Sequence, residues 1–182
     1  MATQTITKTK WTLDQAHSEI GFKVKHMMIT NVSGSFGKFD VNVETDENDF
    51  NTAGIEFTAE LDSISTGNAD RDIHLKSADF FDAANFPRLE FVSSKFEKKD
   101  DEHYLLHGDL TIRGITKPVR FDVEFGGIGK DPWGNEKAGF SVTGKINRTD
   151  FKLNWNAALE TGGVLVGEDV KLNAEIQLLK QG

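Results

Sequence analysis

Apolar and polar residues alternate with period two along most of this chain, in stretches separated by turn-forming residues, as in amphipathic β-strands. Residues 18–26 set Ile20, Phe22, Val24 and His26 on one face, and 36–45 set Phe39, Val41 and Val43 there. The alternation returns at 53–61 (Ala53, Ile55, Phe57, Ala59, Leu61), 103–113 (Tyr104, Leu106, Gly108, Leu110, Ile112) and 118–126 (Val119, Phe121, Val123, Phe125). It continues at 137–147 (Ala138, Phe140, Val142, Gly144, Ile146) and 168–180 (Val170, Leu172, Ala174, Ile176, Leu178). An eighth stretch, 88–98, changes phase: Leu89 and Phe91 share one parity, Val92 and Phe96 the other, which predicts a β-bulge near Val92–Ser94.

Such strands are about 30 to 43 Å long at a rise near 3.3 Å per residue, which is long for a sandwich. Long sequential strands joined by short connections, apolar on one face throughout, suit an eight-stranded up-and-down antiparallel barrel of the all-β class, whose closure removes both edges. Interior glycines (Gly21, Gly54, Gly108, Gly139, Gly144) fit strongly coiled strands. A Greek-key sandwich is the structural alternative. In an up-and-down order, alternate connections share an end. One end receives 46–52, 99–102 and 127–136, acidic and turn-rich, and reads as closed; the other receives 27–35, 62–87, 114–117 and 149–167 and reads as a lid. In the 62–87 insertion, Asn68 and Ser77 are predicted N-caps of two short helices, and Pro87 ends the segment. Phe151, Leu153, Trp155 and Leu159 predict a second lid segment.

The inward face mixes large residues (Phe22, Phe39, Phe57, Phe121, Phe125, Phe140) with small ones (Ala53, Gly108, Ala138, Gly144, Ala174), and the small ones are expected to leave room for a slender ligand. The expected tail-lining residues are Phe22, Val24, Phe39, Phe57, Leu106, Phe121, Phe140 and Val142. An apolar lining gains about 25 cal/mol per Å² of ligand surface buried, so the expected guest is a hydrocarbon chain. His26 and Arg148 share the inward parity at the lidded mouth, where they could donate to a polar head group; alternatively Arg148 pairs with Asp150 or Asp72 and His26 is structural.

The chain has 182 residues, 37% hydrophobic and 27% charged, which predicts one soluble globular domain, 1–182. A net charge of -8 disfavours nucleic acid and electrostatic docking to anionic lipid, leaving at most transient, hydrophobic membrane contact. Cysteine is absent, which excludes disulfides, thiolate metal ligands and a thiol nucleophile. The N-terminus lacks the apolar run of a signal peptide, so the chain reads as cytoplasmic as written, and as periplasmic if a signal has been removed. Among the histidines, His103 and His107 share a strand face about 13 Å apart, too far to chelate one ion, and no metal site is expected. Neither GFSVT at 139–143 nor NVSGSFG at 31–37 forms a nucleophile elbow, and no dinucleotide or phosphate loop is present; an enzyme finds no support here.

Three separated blocks, WTLDQAHSEIGFKVKH at 11–26, TGNADRDIHLKSADFFDAANFPRLEF at 66–91 and LLHGDLTIRGITKPV at 105–119, together with NRTDF at 147–151, resemble the YceI-like family in order and spacing. The resemblance implies a lipocalin-like barrel holding a polyisoprenoid or the tail of an isoprenoid quinone or precursor, with no cofactor required. Many family members are exported. Within the matched blocks, Arg71, Asp72 and His74 lie beside the mouth, where, with Trp155 of the second lid, they could position a head group; alternatively Arg71 and Asp72 staple the insertion. The leading reading is a non-catalytic carrier or storage protein. An enzyme acting on the same lipid, with His26 as acid or base, and a packed stress-related interaction module are the alternatives, and the sequence fits a monomer and a homodimer equally.

Overall fold

A computed structural model describes residues 7–157 and 165–181, and the alternating stretches form one continuous antiparallel sheet there. Its strands are β1 (Lys8–Leu13), β2 (Glu19–His26), β3 (Thr30–Phe36), β4 (Phe39–Asp46), β5 (Asp49–Glu60), β6 (Ile64–Ser65), β7 (Arg88–Lys98), β8 (His103–Ile112), β9 (Ile115–Lys130), β10 (Glu136–Asn147) and β11 (Val166–Lys180). The hydrogen-bonded order β1-β4-β5-β7-β8-β9-β10-β11 closes because β1 also pairs with β11, giving an eight-stranded barrel without a free edge in that ring.

At the lidded end three strands continue past an interruption. A 3-10 turn at Gln15–His17 separates β1 from β2, yet β11 pairs with both, from Trp11↔Lys180 to His26↔Val166. Gly37 and Lys38 separate β3 from β4, and a 3-10 turn at Leu61–Ser63 separates β5 from β6. The first break is held by displaced polar contacts: Asp14 N–H donates to Gln177 O (2.9 Å), Gln177 N–H to Ser18 Oγ (2.9 Å), and Lys137 Nζ to the Asp14 carboxylate (2.8 Å).

The inward parity holds along the predicted strands except at Val92, which is 53% exposed while Leu89, Phe91 and Phe96 face inward; β7 shifts register against β8 between Ser93 and Lys95, at the predicted bulge, so the phase changes after Val92. Several boundaries differ. Residues 8–13, which carry no strand expectation, form the stave that closes the barrel; Trp11 is fully buried there and donates its indole N–H to Thr45 Oγ1 (3.1 Å). The expected connection at 27–35 is a turn of Met27–Ile29 followed by β3, and that at 46–52 is a tight Glu47–Asn48 turn, with Phe50 already inside the barrel. Residues 114–117 reduce to Arg113–Gly114, because Thr116 and Lys117 pair with β8.

The insertion contains one α-helix, α1 (Ala69–Lys76), capped by Asn68 Oδ1 accepting from Arg71 N–H (3.1 Å). The second predicted helix is absent. Ser77 is instead the C-cap of α1, its hydroxyl donating to His74 O, and two turns follow on either side of Asp82, whose φ is 51° and whose carbonyl accepts from Asn85 and Phe86 N–H.

Candidate functional site

The closed end is floored by aromatic rings. Phe50 packs on Trp11 (5.0 Å between centroids) and Phe140 (5.1 Å), Phe125 stacks on Phe140 (5.0 Å) and Phe96 stacks on Tyr104 (4.4 Å). Above this floor lies a chamber of about 170 Å³ whose wall is almost wholly hydrocarbon, including Val43, Ile55, Phe121, Val142, Ala174 and Leu178. A second cavity of about 450 Å³ lies at the mouth, and Phe36, Leu89, Ile112, Ile146 and Leu172 line both. Those five side chains border both spaces, so the chamber and the mouth cavity lie end to end as one tunnel-shaped interior, the mouth cavity alone falling within the range of about 300–1,000 Å³ usual for small-molecule sites.

Of the residues expected to line a tail, Phe57, Leu106, Phe121, Phe140 and Val142 line the inner chamber, and Phe22 and Val24 line the mouth. Phe39 lines neither: it is buried against the Phe57 ring at 6.3 Å. The expectation that small residues leave space needs correction too. A Cβ on Gly108 would lie 2.4 Å from the Phe91 ring, and one on Gly144 2.2 Å from Phe121, so these glycines seat neighbouring rings. Ala138 is fully buried away from both cavities, and Ala53 borders neither, whereas Ala174 and Gly21 border the chamber.

Among the described residues polar side chains gather at the mouth, where His26, Arg71, His74, Arg148 and Trp155 line the wall with Lys25, Thr66, Asn68 and Asp70. Arg71 and Arg148 are the permanent cations of this wall and Asp70 its carboxylate, while Lys25 borders it from a strand position whose side chain faces outward. Arg148 is 3% exposed and pairs with neither Asp150 nor Asp72. It donates Nε to Gly167 O (2.7 Å), Nη1 to Leu153 O and Trp155 O (3.0 Å), and Nη2 to Val166 O (3.2 Å), clamping both ends of the second lid. Burial pushes its pKa down, opposed by the charge of Glu168. One guanidinium N–H remains beyond these four bonds.

Asp72 does not line the cavity. Its Oδ1 accepts from Thr66 N–H (2.9 Å) and Oγ1 (2.6 Å), while Arg71 donates to Thr66 Oγ1 (2.8 Å) and Thr66 O (2.9 Å), so the pair clasps Thr66 and leaves the other guanidinium nitrogen of Arg71 for the mouth. His74 bonds Asp79 (2.9 Å) and meets the Trp155 ring edge-on (4.7 Å), joining α1 to the second lid. The His26 ring makes no hydrogen bond with any described residue. Leu159 lies outside the described residues. Sequence reading missed Arg113, which donates from one turn to Phe80 O (2.9 Å) and Lys152 O (3.3 Å) and so ties both lid segments together. Among the described residues no three His, Asp or Glu side chains are grouped to hold a metal ion.

The YceI-like domain family matches residues 11–178. A UPF0312 protein of Staphylococcus aureus (strain MSSA476) is 46% identical over 93% of this chain and 96% of its own length. Among solved structures, a Campylobacter jejuni YCEI protein is 36% identical with a TM-score of 0.75, covering 100% of both chains. A polyisoprenoid binding domain from Saccharophagus degradans shares the fold alone, at 12% identity and a TM-score of 0.65, over 94% of this chain and 98% of its own.

Proposed function

Because the chain belongs to the YceI-like domain family, and because its tunnel is apolar inside and polar at the mouth, we propose that it binds a long-chain isoprenoid amphiphile, a polyisoprenoid or an isoprenoid quinone or its precursor. The observation that carries this reading is the end-to-end placement of an apolar chamber and a polar-rimmed mouth cavity that share five apolar side chains. A chain seated on the aromatic floor extends past those five side chains and delivers its polar end to the spare guanidinium donors of Arg148 and Arg71 and to His26. The Saccharophagus degradans domain, described as polyisoprenoid binding, supports the reading only through the shared barrel.

Binding rests on burial: the wall offers hydrocarbon contact at about 25 cal/mol per Å² and almost no directional group, which suits a flexible tail better than a polar ligand. In this reading the protein is a carrier or store, and exchange requires the two lid segments to part at the His74–Trp155 contact. Intact mass spectrometry of the purified protein, repeated after solvent extraction, tests it. A stoichiometric isoprenoid adduct is expected. A clean protein that also fails to take up added isoprenoid quinones or prenyl lipids overturns the proposal. An enzyme working on the same lipid is separated by His26→Ala, which abolishes turnover while sparing binding if His26 moves a proton, and alters binding alone in a carrier.

A further inference from the structure

The β2–β3 hairpin is unlike the other tight connections. Glu47–Asn48, Lys99–Glu102 and Arg113–Gly114 are polar, as is Asp131–Asn135 apart from Trp133. The β2–β3 tip is Met27-Met28-Ile29, residues that are 42%, 54% and 74% exposed. Met27 and Met28 both have positive φ, 53° and 62°, a turn conformation that Asn and Gly adopt readily and unbranched apolar residues do not. The fold therefore holds an apolar tip in water against both hydration and backbone preference. The tip continues the strands whose Val24, His26 and Val32 line the mouth, so it stands on the rim of the opening.

A second observation concerns the outer wall below the tip. Register sets Lys145 of β10 opposite Lys171 of β11, and Lys171 opposite Lys23 of β2, with Lys25 next on the same exposed face. Directly opposed like charges weaken a sheet. Among the described residues only Lys145 has an acidic partner, Asp169 at 3.6 Å; Lys23, Lys25 and Lys171 have none. A row of cations thus crosses the wall beneath the apolar tip, with Asp169 on the same face toward the rim, a local excess of positive charge that the net charge of -8, unfavourable to docking for the chain as a whole, conceals.

We propose that this hairpin tip and the lysine row dock the barrel on an anionic lipid bilayer, mouth first, with Met27, Met28 and Ile29 entering the interface and the lysines meeting lipid phosphates. A symmetric pairing of two copies through this patch would set lysine row against lysine row, so the row favours a bilayer of anionic lipid over a second copy of the chain. Docking rests on the isoprenoid reading for its purpose, since it lets a tail pass between membrane and tunnel without crossing water, but it is tested without any isoprenoid.

The chain has no cysteine, so Ile29→Cys and Trp133→Cys each introduce one labelling site, at opposite ends of the barrel. With a nitrobenzoxadiazole label, vesicles of phosphatidylethanolamine and phosphatidylglycerol should blue-shift residue 29 and leave residue 133 unchanged. Brominated acyl chains should quench only the former. Replacing Lys23 or Lys171 by Gln should weaken the apparent affinity about fivefold each at low salt. Met28→Asn, which suits a positive φ, should leave thermal stability intact or raised while reducing docking, so loss of docking there is not loss of fold. No shift at residue 29, equal shifts at both sites, or a shift at residue 29 that follows protein concentration without vesicles overturns the proposal, the last identifying a second copy as occupant. Failure here leaves the mass-spectrometric test of isoprenoid binding unaffected.

Discussion

Enlarging Ala174 decides whether the barrel interior is a ligand tunnel or a packed core, because the two give opposite signs. Ala174 sits on β11 between Val142 and Ile20, is 8% exposed and borders the 170 Å³ chamber. Ala174→Leu adds three carbon atoms to that space. At about 0.8 kcal/mol per buried methylene the gain reaches ~2.4 kcal/mol, and restricting the leucine removes about 0.5–1 kcal/mol. The lipid-free protein should therefore gain about 1.5 kcal/mol, a rise in Tm of roughly 3–6 °C for a chain of this size. In a filled core the same change forces strain and costs about 1–3 kcal/mol. Urea unfolding of the solvent-extracted protein measures the sign, and uptake of a prenyl lipid by the same variant should fall as the chamber fills. Destabilisation with undiminished uptake would refute the reasoning.

Other parts of the structure make separable predictions. Arg148→Lys keeps the charge but cannot reach four carbonyls, so it should cost about 2 kcal/mol or more and speed amide exchange in 148–157, as hydrogen exchange followed by mass spectrometry would show. Gly108→Ala sets a Cβ 2.4 Å from both the Phe91 ring and Val92 O; the backbone oxygen cannot yield as a side chain does, and a loss of about 2–3 kcal/mol is expected by urea unfolding. Hydrogen bonds from Lys137, and then His17, hold the Asp14 carboxyl below its usual pKa of 3.8. That contribution to stability is present above pH 3.8 and lost as pH falls through the lower folded value, so Asp14→Asn should be less stable than the parent at pH 7, and in urea titrations the gap should narrow only as pH falls below 3.8.

Sequence periodicity was sufficient for the barrel because an inward residue and its polar neighbour carry the whole signal locally. Parity from Tyr104 to Ile112, or from Val170 to Leu178, needs no knowledge of partners. Register does need it, and the misses follow from that. Trp11 reads as part of a polar N-terminal run until Val43 and Lys180 are found beside it. Phe50 hides in DENDFNT, whose composition is that of a turn, yet its ring supports the tunnel floor. Ser33, Gly34 and Ser35 look like a loop but pair with β2, where Gly34 seats the Phe22 ring. At the mouth, the residue types at 26, 71, 74, 148 and 155 were legible, while their partners were not: Asp72 turned to Thr66, and Arg148 took backbone carbonyls in place of a carboxylate. The lysine row joins the consecutive strands β10 and β11 to the distant β2, and only the folded register reveals it.

Methyl NMR tests the occupied tunnel most directly. With Ile, Leu and Val methyls labelled, titration of an isoprenoid quinone into the lipid-free protein should shift Leu106, Val142, Ile146 and Leu172 and give intermolecular contacts from these methyls to the tail, while the exposed Val92 and Ile128 stay unmoved. Shifts confined to outward-facing methyls, with Leu106 and Val142 unchanged at saturating lipid, would contradict an isoprenoid tail in the barrel.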